Sequence, residues 1–166
     1  MPTRHVRCSS AIRRAKWVFA FVVINQRWCA CELQTLRRLH ILFVDHDPHI
    51  QDRMKHALGG EFAVQCVGSV PEAQFSLSQS PPDILISEVV VGQESGLDLC
   101  RFVRSVSSLQ HLPIMLLTSM ATLQDKVAGF QAGTDDYVVK PFDVHHLVAR
   151  IRLLARIKRL ERRTTV

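Results

Sequence analysis

From His40 onward, short apolar runs and longer amphipathic stretches alternate five times, and this alternation restricts the fold more than any other property of the chain. Ile41–Val44, Phe62–Val67, Ile84–Ile86, Ile114–Thr118 and Tyr137–Val139 are brief and apolar. They lack the in-out alternation of a half-exposed strand, so they read as strands of a parallel sheet covered on both faces. Asp47 followed by Pro48 has the form of a helix N-cap with proline in the first turn. Ile50, Met54, Ala57 and Leu58 continue that helix, and Gly59-Gly60 stops it. Ser69 and Glu72 have the spacing of a capping box opening a second helix. Gly92 to Gly96 reads as a loop. Leu97, Cys100, Val103 and Val106 trace one face of a third helix. Leu123, Val127 and Phe130 mark a fourth, closed by Gly133. The last helix begins near Asp143 and turns Leu147, Val148, Ile151 and Leu154 inward. Five strand–helix units imply an α/β fold with a five-stranded parallel sheet between two helical layers. In such folds ligands bind beyond the carboxyl ends of the strands. Candidate chemistry therefore lies just after Val44, after Ser87 and at Thr118.

The net charge of +6 conceals three regions. Residues 1–39 carry eight Lys/Arg and one Glu, residues 40–142 carry six Lys/Arg and twelve acids, and residues 143–166 carry seven Lys/Arg and two acids. An acidic body thus lies between two basic tails. The reading divides the chain into a basic extension at 1–39, a folded domain at 40–155 and a basic helix end or linker at 156–166 with no output domain after it. The extension reads as a disordered arm, or as translated sequence upstream of a true start near residue 36–40. Its apolar run Trp17–Ile24 has eight residues, against the roughly eighteen or more that a membrane span needs. Five cysteines at positions 8, 29, 31, 66 and 100 form no regular framework, which favours a reducing, cytoplasmic setting. No aromatic or glycine-rich recognition motif accompanies the basic tails, so nucleic acid is not the expected partner.

The polar residues at the strand ends are Asp45, His46, Asp47, Glu88, Thr118 and Lys140. The segments that hold them, ILFVDHDP, PPDILISEVVVGQESGLDL, LPIMLLTS and GTDDYVVKPF, occur in this order between about 40 and 155. In order and interval they resemble the signature blocks of the receiver domain of bacterial response regulators. That resemblance implies a flavodoxin/CheY-like (βα)5 fold with strand order 2-1-3-4-5. It also implies a role in two-component phosphorelay signalling, with a histidine kinase or another signalling protein as partner. Asp45 matches one of a pair of acids that hold Mg²⁺. Thr118 matches the hydroxyl that bonds the phosphoryl group, and Lys140 the cation that pairs with it. Tyr137 matches an aromatic that swings inward on activation, and Lys140-Pro141 a bond that is usually cis.

Two positions depart from the resembled pattern. His46 stands where a second metal-binding acid is expected, and Glu88 where the phosphorylated Asp is expected. Imidazole nitrogen is a poor ligand for Mg²⁺, which demands oxygens in octahedral geometry. Glu88 carries its carboxylate one methylene further out, about 1.5 Å, and misplacement on the order of 1 Å can cost about a hundredfold in rate. The expectation is a degraded Mg²⁺ site retaining Asp45, no cofactor, no enzyme activity, and contact-based signalling with phosphorylation impaired or absent. Glu88 is expected either to pair with Lys140 and imitate the phosphorylated form or to be a relic. By the same resemblance Lys126, Asp136 and Arg150 match a dimer face made by the fourth helix, fifth strand and fifth helix. The rival readings are a phosphorylation-competent receiver, a truncated winged-helix transcriptional regulator, a nucleic-acid binder acting through its tails, and a flavodoxin-like redox protein.

Overall fold

The computed structural model describes residues 38–119 and 122–164. The expectations placed on residues 1–37, including the apolar run and Cys8, Cys29 and Cys31, lie outside the described residues. The remainder forms one compact unit from Arg38. Its elements in chain order are β1 His40–Val44, α1 Pro48–Leu58, β2 Ala63–Val67, α2 Val70–Gln79, β3 Ile84–Glu88, β4 Val90–Val91, β5 Glu94–Ser95, α3 Gly96–Ser105, β6 Ile114–Thr118, α4 Leu123–Gln131, β7 Asp136–Val139 and α5 Val144–Thr164.

Five strands pair in parallel in the order β2-β1-β3-β6-β7. This is the order 2-1-3-4-5 read from the sequence, once the short β4–β5 hairpin is set aside. Strand periodicity then sorts the side chains. Leu42, Val44, Leu85, Ile114 and Leu116 point to one face and pack with Ala73 and Leu77 of α2 and Leu99, Cys100 and Val103 of α3. Ile41, Phe43, Ile84, Ile86, Met115 and Leu117 point to the other, against Met54 and Leu58 of α1 and Leu147, Ile151 and Leu154 of α5. Both faces are buried, which is why these strands are apolar throughout. Each fully buried Ile, Leu or Phe stabilises this arrangement by roughly 1.5–3 kcal/mol.

Helix starts follow the local chemistry. The Asp47 side chain accepts from His49 N, with Pro48 in the first turn. Ser69 accepts from Glu72 N, but the Glu72 carboxylate accepts from Gly68 N at 2.9 Å instead of closing the expected reciprocal box. Thr122 and Asp125 form the complete box, at the start of α4.

Three readings change in detail. The second strand begins at Ala63, with Phe62 buried ahead of it. The segment after β3 is a two-residue hairpin, Val90-Val91 against Glu94-Ser95, turned at Gly92-Gln93 with Gly92 at φ 64°. A positive φ at that first turn position is what glycine supplies. On α4, Leu123, Val127 and Phe130 face solvent. The buried residue of that helix is Gly129.

Candidate functional site

Parallel register puts four strand ends on one rim. Val44 lies opposite Ser87, Glu88 opposite Leu117, and Thr118 opposite Val139. Asp45 and Lys140 follow the first and last of these strands, so their side chains converge from either side of β3.

Asp45 is buried at the floor. Its Oδ1 accepts from Asp47 N at 3.0 Å, and its Oδ2 from Lys140 Nζ at 3.3 Å. Glu88 is also buried, with Oε2 2.5 Å from Lys140 Nζ and Oε1 accepting from Val89 N at 2.9 Å. One ammonium thus bridges two carboxylates that would otherwise repel. Charge-assisted bonds of this kind are roughly twice as strong as neutral ones. Gln51 Nε2 donates to the Asp45 carbonyl at 2.7 Å, tying α1 to the same floor.

His46 does not enter the pocket as the acid of the resembled pattern would. It is 57 % exposed, beside Gly92, with Nδ1 3.6 Å from Asp45 Oδ1. Asp47 is committed as the cap of α1. Of the three residues expected to form an acidic pocket, only Asp45 lines it.

Thr118 is fully buried at the end of β6, and its carbonyl accepts from Lys140 N at 2.8 Å. Its side chain is hydrogen-bonded to the phenol of Tyr137. Tyr137 lies inward, 9 % exposed. Burial pushes its pKa above the ordinary value, with further pushes from the Asp125 and Glu88 charges. The ring sits against Gly129, where an added Cβ would lie 3.0 Å from Tyr137 Cδ2. The Lys140–Pro141 peptide is cis.

Ser87 is fully buried and donates to the Glu88 carbonyl at 2.9 Å. Ser119 is exposed beside the rim. Among the dimer-face residues, Asp136 and Arg150 pair with each other within one chain at 3.0 Å, and Lys126 lies half-buried on α4.

Three contributions had escaped the sequence reading. Val89 supplies an N–H to Glu88. Glu94 accepts from Val70 N at 2.6 Å, fastening the β4–β5 hairpin to the start of α2. Gly129 makes room for Tyr137. The first two depend on backbone donors, which leave no residue-type signal. The third had a signal, a glycine in mid-helix, that warranted a packing explanation.

A doubly wound parallel sheet with an acid, a second acid, a hydroxyl and a lysine on its carboxyl rim defines a signal-receiver type of pocket. The response regulator receiver domain family matches residues 41–152, and the chain belongs to it. Among curated proteins it is similar to the DNA-binding dual master transcriptional regulator RpaA of Synechocystis sp., 34 % identical over 70 % of this chain and 48 % of that protein. It is likewise similar to the DNA-binding response regulator MtrA of Mycolicibacterium smegmatis, 35 % identical over 78 % and 54 %. The chain thus spans about half the length of these relatives. Among solved structures, a response regulator from Chloroflexus aurantiacus aligns with TM-score 0.68 at 32 % identity, over 72 % of this chain and 98 % of that one. The BeF3-activated receiver domain of Klebsiella pneumoniae RstA aligns with TM-score 0.65 at 27 % identity, over 70 % and 98 %. Among the described residues, no helix is long and apolar enough to cross a membrane.

Proposed function

We propose that this receiver works in two-component signalling by protein–protein contact, with Glu88 holding Lys140 in place of an exchangeable phosphoryl group. The observation that carries the reading is the 2.5 Å contact between Lys140 Nζ and Glu88 Oε2. The cation that would receive a phosphoryl oxygen is already neutralised. The second Glu88 oxygen is engaged by Val89 N, so neither oxygen is poised to attack phosphorus. Tyr137, inward and bonded to Thr118, is in the position the resemblance associates with activation.

The residues present do not fit Mg²⁺. Asp45 has both oxygens engaged, by Asp47 N and Lys140 Nζ. His46 would offer nitrogen where the ion wants oxygen. Among the described residues, no group of three His, Cys, Asp or Glu is placed to hold a metal. No step is assigned to a metal on this reading.

The roles that follow are an acceptor-equivalent Glu88, an acidic anchor at Asp45 and a switch set of Thr118, Tyr137, Lys140 and Pro141. The module is not an enzyme, and its setting is the cytoplasm. Its partner is a histidine kinase or another signalling protein. Self-association across α4, β7 and α5, the face of Lys126, Asp136 and Arg150, has less support, since Asp136 and Arg150 already pair with each other within one chain. Two relatives are named as DNA-binding. Contact with DNA by this half of such a protein has less support, since Arg150, Arg152 and Lys158 each already have an acid partner.

The test is incubation with acetyl phosphate and Mg²⁺ followed by intact mass. The expected result is unmodified protein, with an adduct appearing when Glu88→Asp and His46→Asp are combined. A stoichiometric phosphate adduct on the wild-type chain overturns the reading and favours a phosphorylation-competent receiver.

A further inference from the structure

Helix α5 has 21 residues, about 31 Å of helix, and only part of its surface is used by the domain. Leu147, Ile151 and Leu154 fill the core. Lys158 continues this inward line and bonds Asp135 at 2.9 Å. A second line on a different face, Leu153, Ile157 and Leu160, is 58, 43 and 54 % exposed. Its spacing of four and three is that of a two-stranded helical seam, with Ile157 at an a position and Leu153 and Leu160 at d positions.

We propose that two copies of this chain associate through the distal half of α5, parallel and in register, with Leu153, Ile157 and Leu160 as the seam. Charge complementarity selects both the occupant and the direction. Arg156 and Glu161 flank the seam on opposite sides. In a parallel pair, a residue at g meets the residue five positions on in the other helix. Arg156 of each copy therefore meets Glu161 of the other, and the two-fold axis makes the contact twice. An antiparallel pair would instead bring like-charged arginine flanks together. General repulsion between two basic helices is reduced because Arg150, Arg152 and Lys158 have acid partners in Asp136, Glu61 and Asp135.

A two-heptad peptide alone would be too short to pair, since helix formation has a costly nucleus. Here that cost has already been met by folding. The core anchors α5 at its start, and Lys158, itself paired with Glu161 along the same helix at 3.0 Å, clamps the distal half to Asp135. Association then orders little new chain, which is how preorganised surfaces gain affinity. The seam lies on α5 alone and does not depend on the state of Glu88, so it stands or falls apart from the proposed function.

The experiment is sedimentation equilibrium of the full chain and variants, each checked for folding by its thermal melt. A reversible wild-type dimer is expected. Ile157→Asp should render it monomeric, with Ile157→Ser as the milder variant if the melt shows damage, while Phe130→Asp on α4 leaves it dimeric. Arg156→Glu and Glu161→Arg should each weaken association about fivefold, and the two combined should restore it. The proposal is overturned if the wild type is monomeric at several hundred micromolar, or if Ile157→Asp and Ile157→Ser both remain dimeric. It is equally overturned if Phe130→Asp dissociates the dimer, or if the combined Arg156→Glu and Glu161→Arg variant fails to restore it.

Discussion

Removing Lys140 should cost more than removing either carboxylate it bridges, and the difference measures the pocket's charge balance. Lys140 Nζ is 2.5 Å from Glu88 Oε2 and 3.3 Å from Asp45 Oδ2. At an effective dielectric of about 20, these separations give gross attractions of roughly 7 and 5 kcal/mol. Burial of the three groups offsets most of that. Removing one partner of a buried pair typically costs about 3–5 kcal/mol, because a charge is left stranded. The Lys140 side chain is 22 % exposed while Asp45 is 1 % exposed, so the lower end, about 3 kcal/mol, is the expectation for Lys140→Met. Glu88→Gln leaves Lys140 paired with Asp45, keeps an acceptor for Val89 N, and should cost about 1 kcal/mol. The double variant should cost about 2 kcal/mol, a coupling of about 2 kcal/mol between positions 88 and 140. Urea denaturation followed by circular dichroism reads these values. The Lys140→Met midpoint should fall by about 2 M for a slope near 1.5 kcal/mol/M. Additive losses, or a Lys140→Met midpoint equal to wild type, would refute the claim that one ammonium holds both acids.

Three further outcomes follow from the same geometry. Tyr137 is the single tyrosine, so absorbance at 295 nm titrates it alone. Its pKa should lie above the ordinary value, because burial first and the Asp125 and Glu88 charges next disfavour the phenolate. Glu88→Gln should move it back down. A folded pKa raised above the unfolded one leaves stability intact below the unfolded value and drains it as pH rises through the folded value. Gly129→Ala gains about 1 kcal/mol of helix propensity, but its Cβ would lie 3.0 Å from Tyr137 Cδ2. The net outcome should be a loss of about 1 kcal/mol in urea melts, with Tyr137 becoming easier to titrate. The Cys100 thiol, pushed up to about 12 by burial, should resist iodoacetamide at pH 8 in the native protein and label fully in denaturant. Peptide mass spectrometry distinguishes the two states.

Strands β1, β3 and β6 were legible because each is buried on both faces, which writes an apolar run into the sequence, while the edge strand β2 keeps Ala63 and Gln65 exposed. The β4–β5 hairpin was not, since two-residue strands have no period to detect. On α4 the spacing of Leu123, Val127 and Phe130 identified the helix but not its orientation. The helix lies against the sheet through Gly129 and the ring of Tyr137, so its larger apolar residues face out. In the site, Asp45, Glu88, Thr118 and Lys140 could be placed on one rim from strand ends alone. The destinations of their oxygens could not, because a carboxylate's partners depend on rotamers and backbone donors such as Val89 N. His46 shows the same limit. Its position in the chain assigns it to the pocket, yet its ring stands 57 % exposed beside Gly92.

Side-chain length decides what kind of site this is. A carboxylate on one carbon fewer would stop about 1.5 Å short of where Glu88 Oε2 now stands. Lys140 would then face a gap that an added group could fill. With glutamate the gap is closed by the residue itself, and the extra methylene lets Oε1 turn back to the N–H of Val89. On the proposed reading, a pocket open to an added group would become one held in a single charge arrangement by its own residues. On the same reading, the inward Tyr137 and its bond to Thr118 are consequences of that permanent pairing. If so, Glu88→Ala, which reopens the gap and removes the charge, should loosen the ring. The single tyrosine should then titrate nearer its ordinary value and exchange faster with solvent, while the strands, held by the two apolar layers, keep their circular dichroism. An unchanged titration in Glu88→Ala would mean that packing against Gly129 alone fixes the ring, and that the acid at 88 has no hold on the switch.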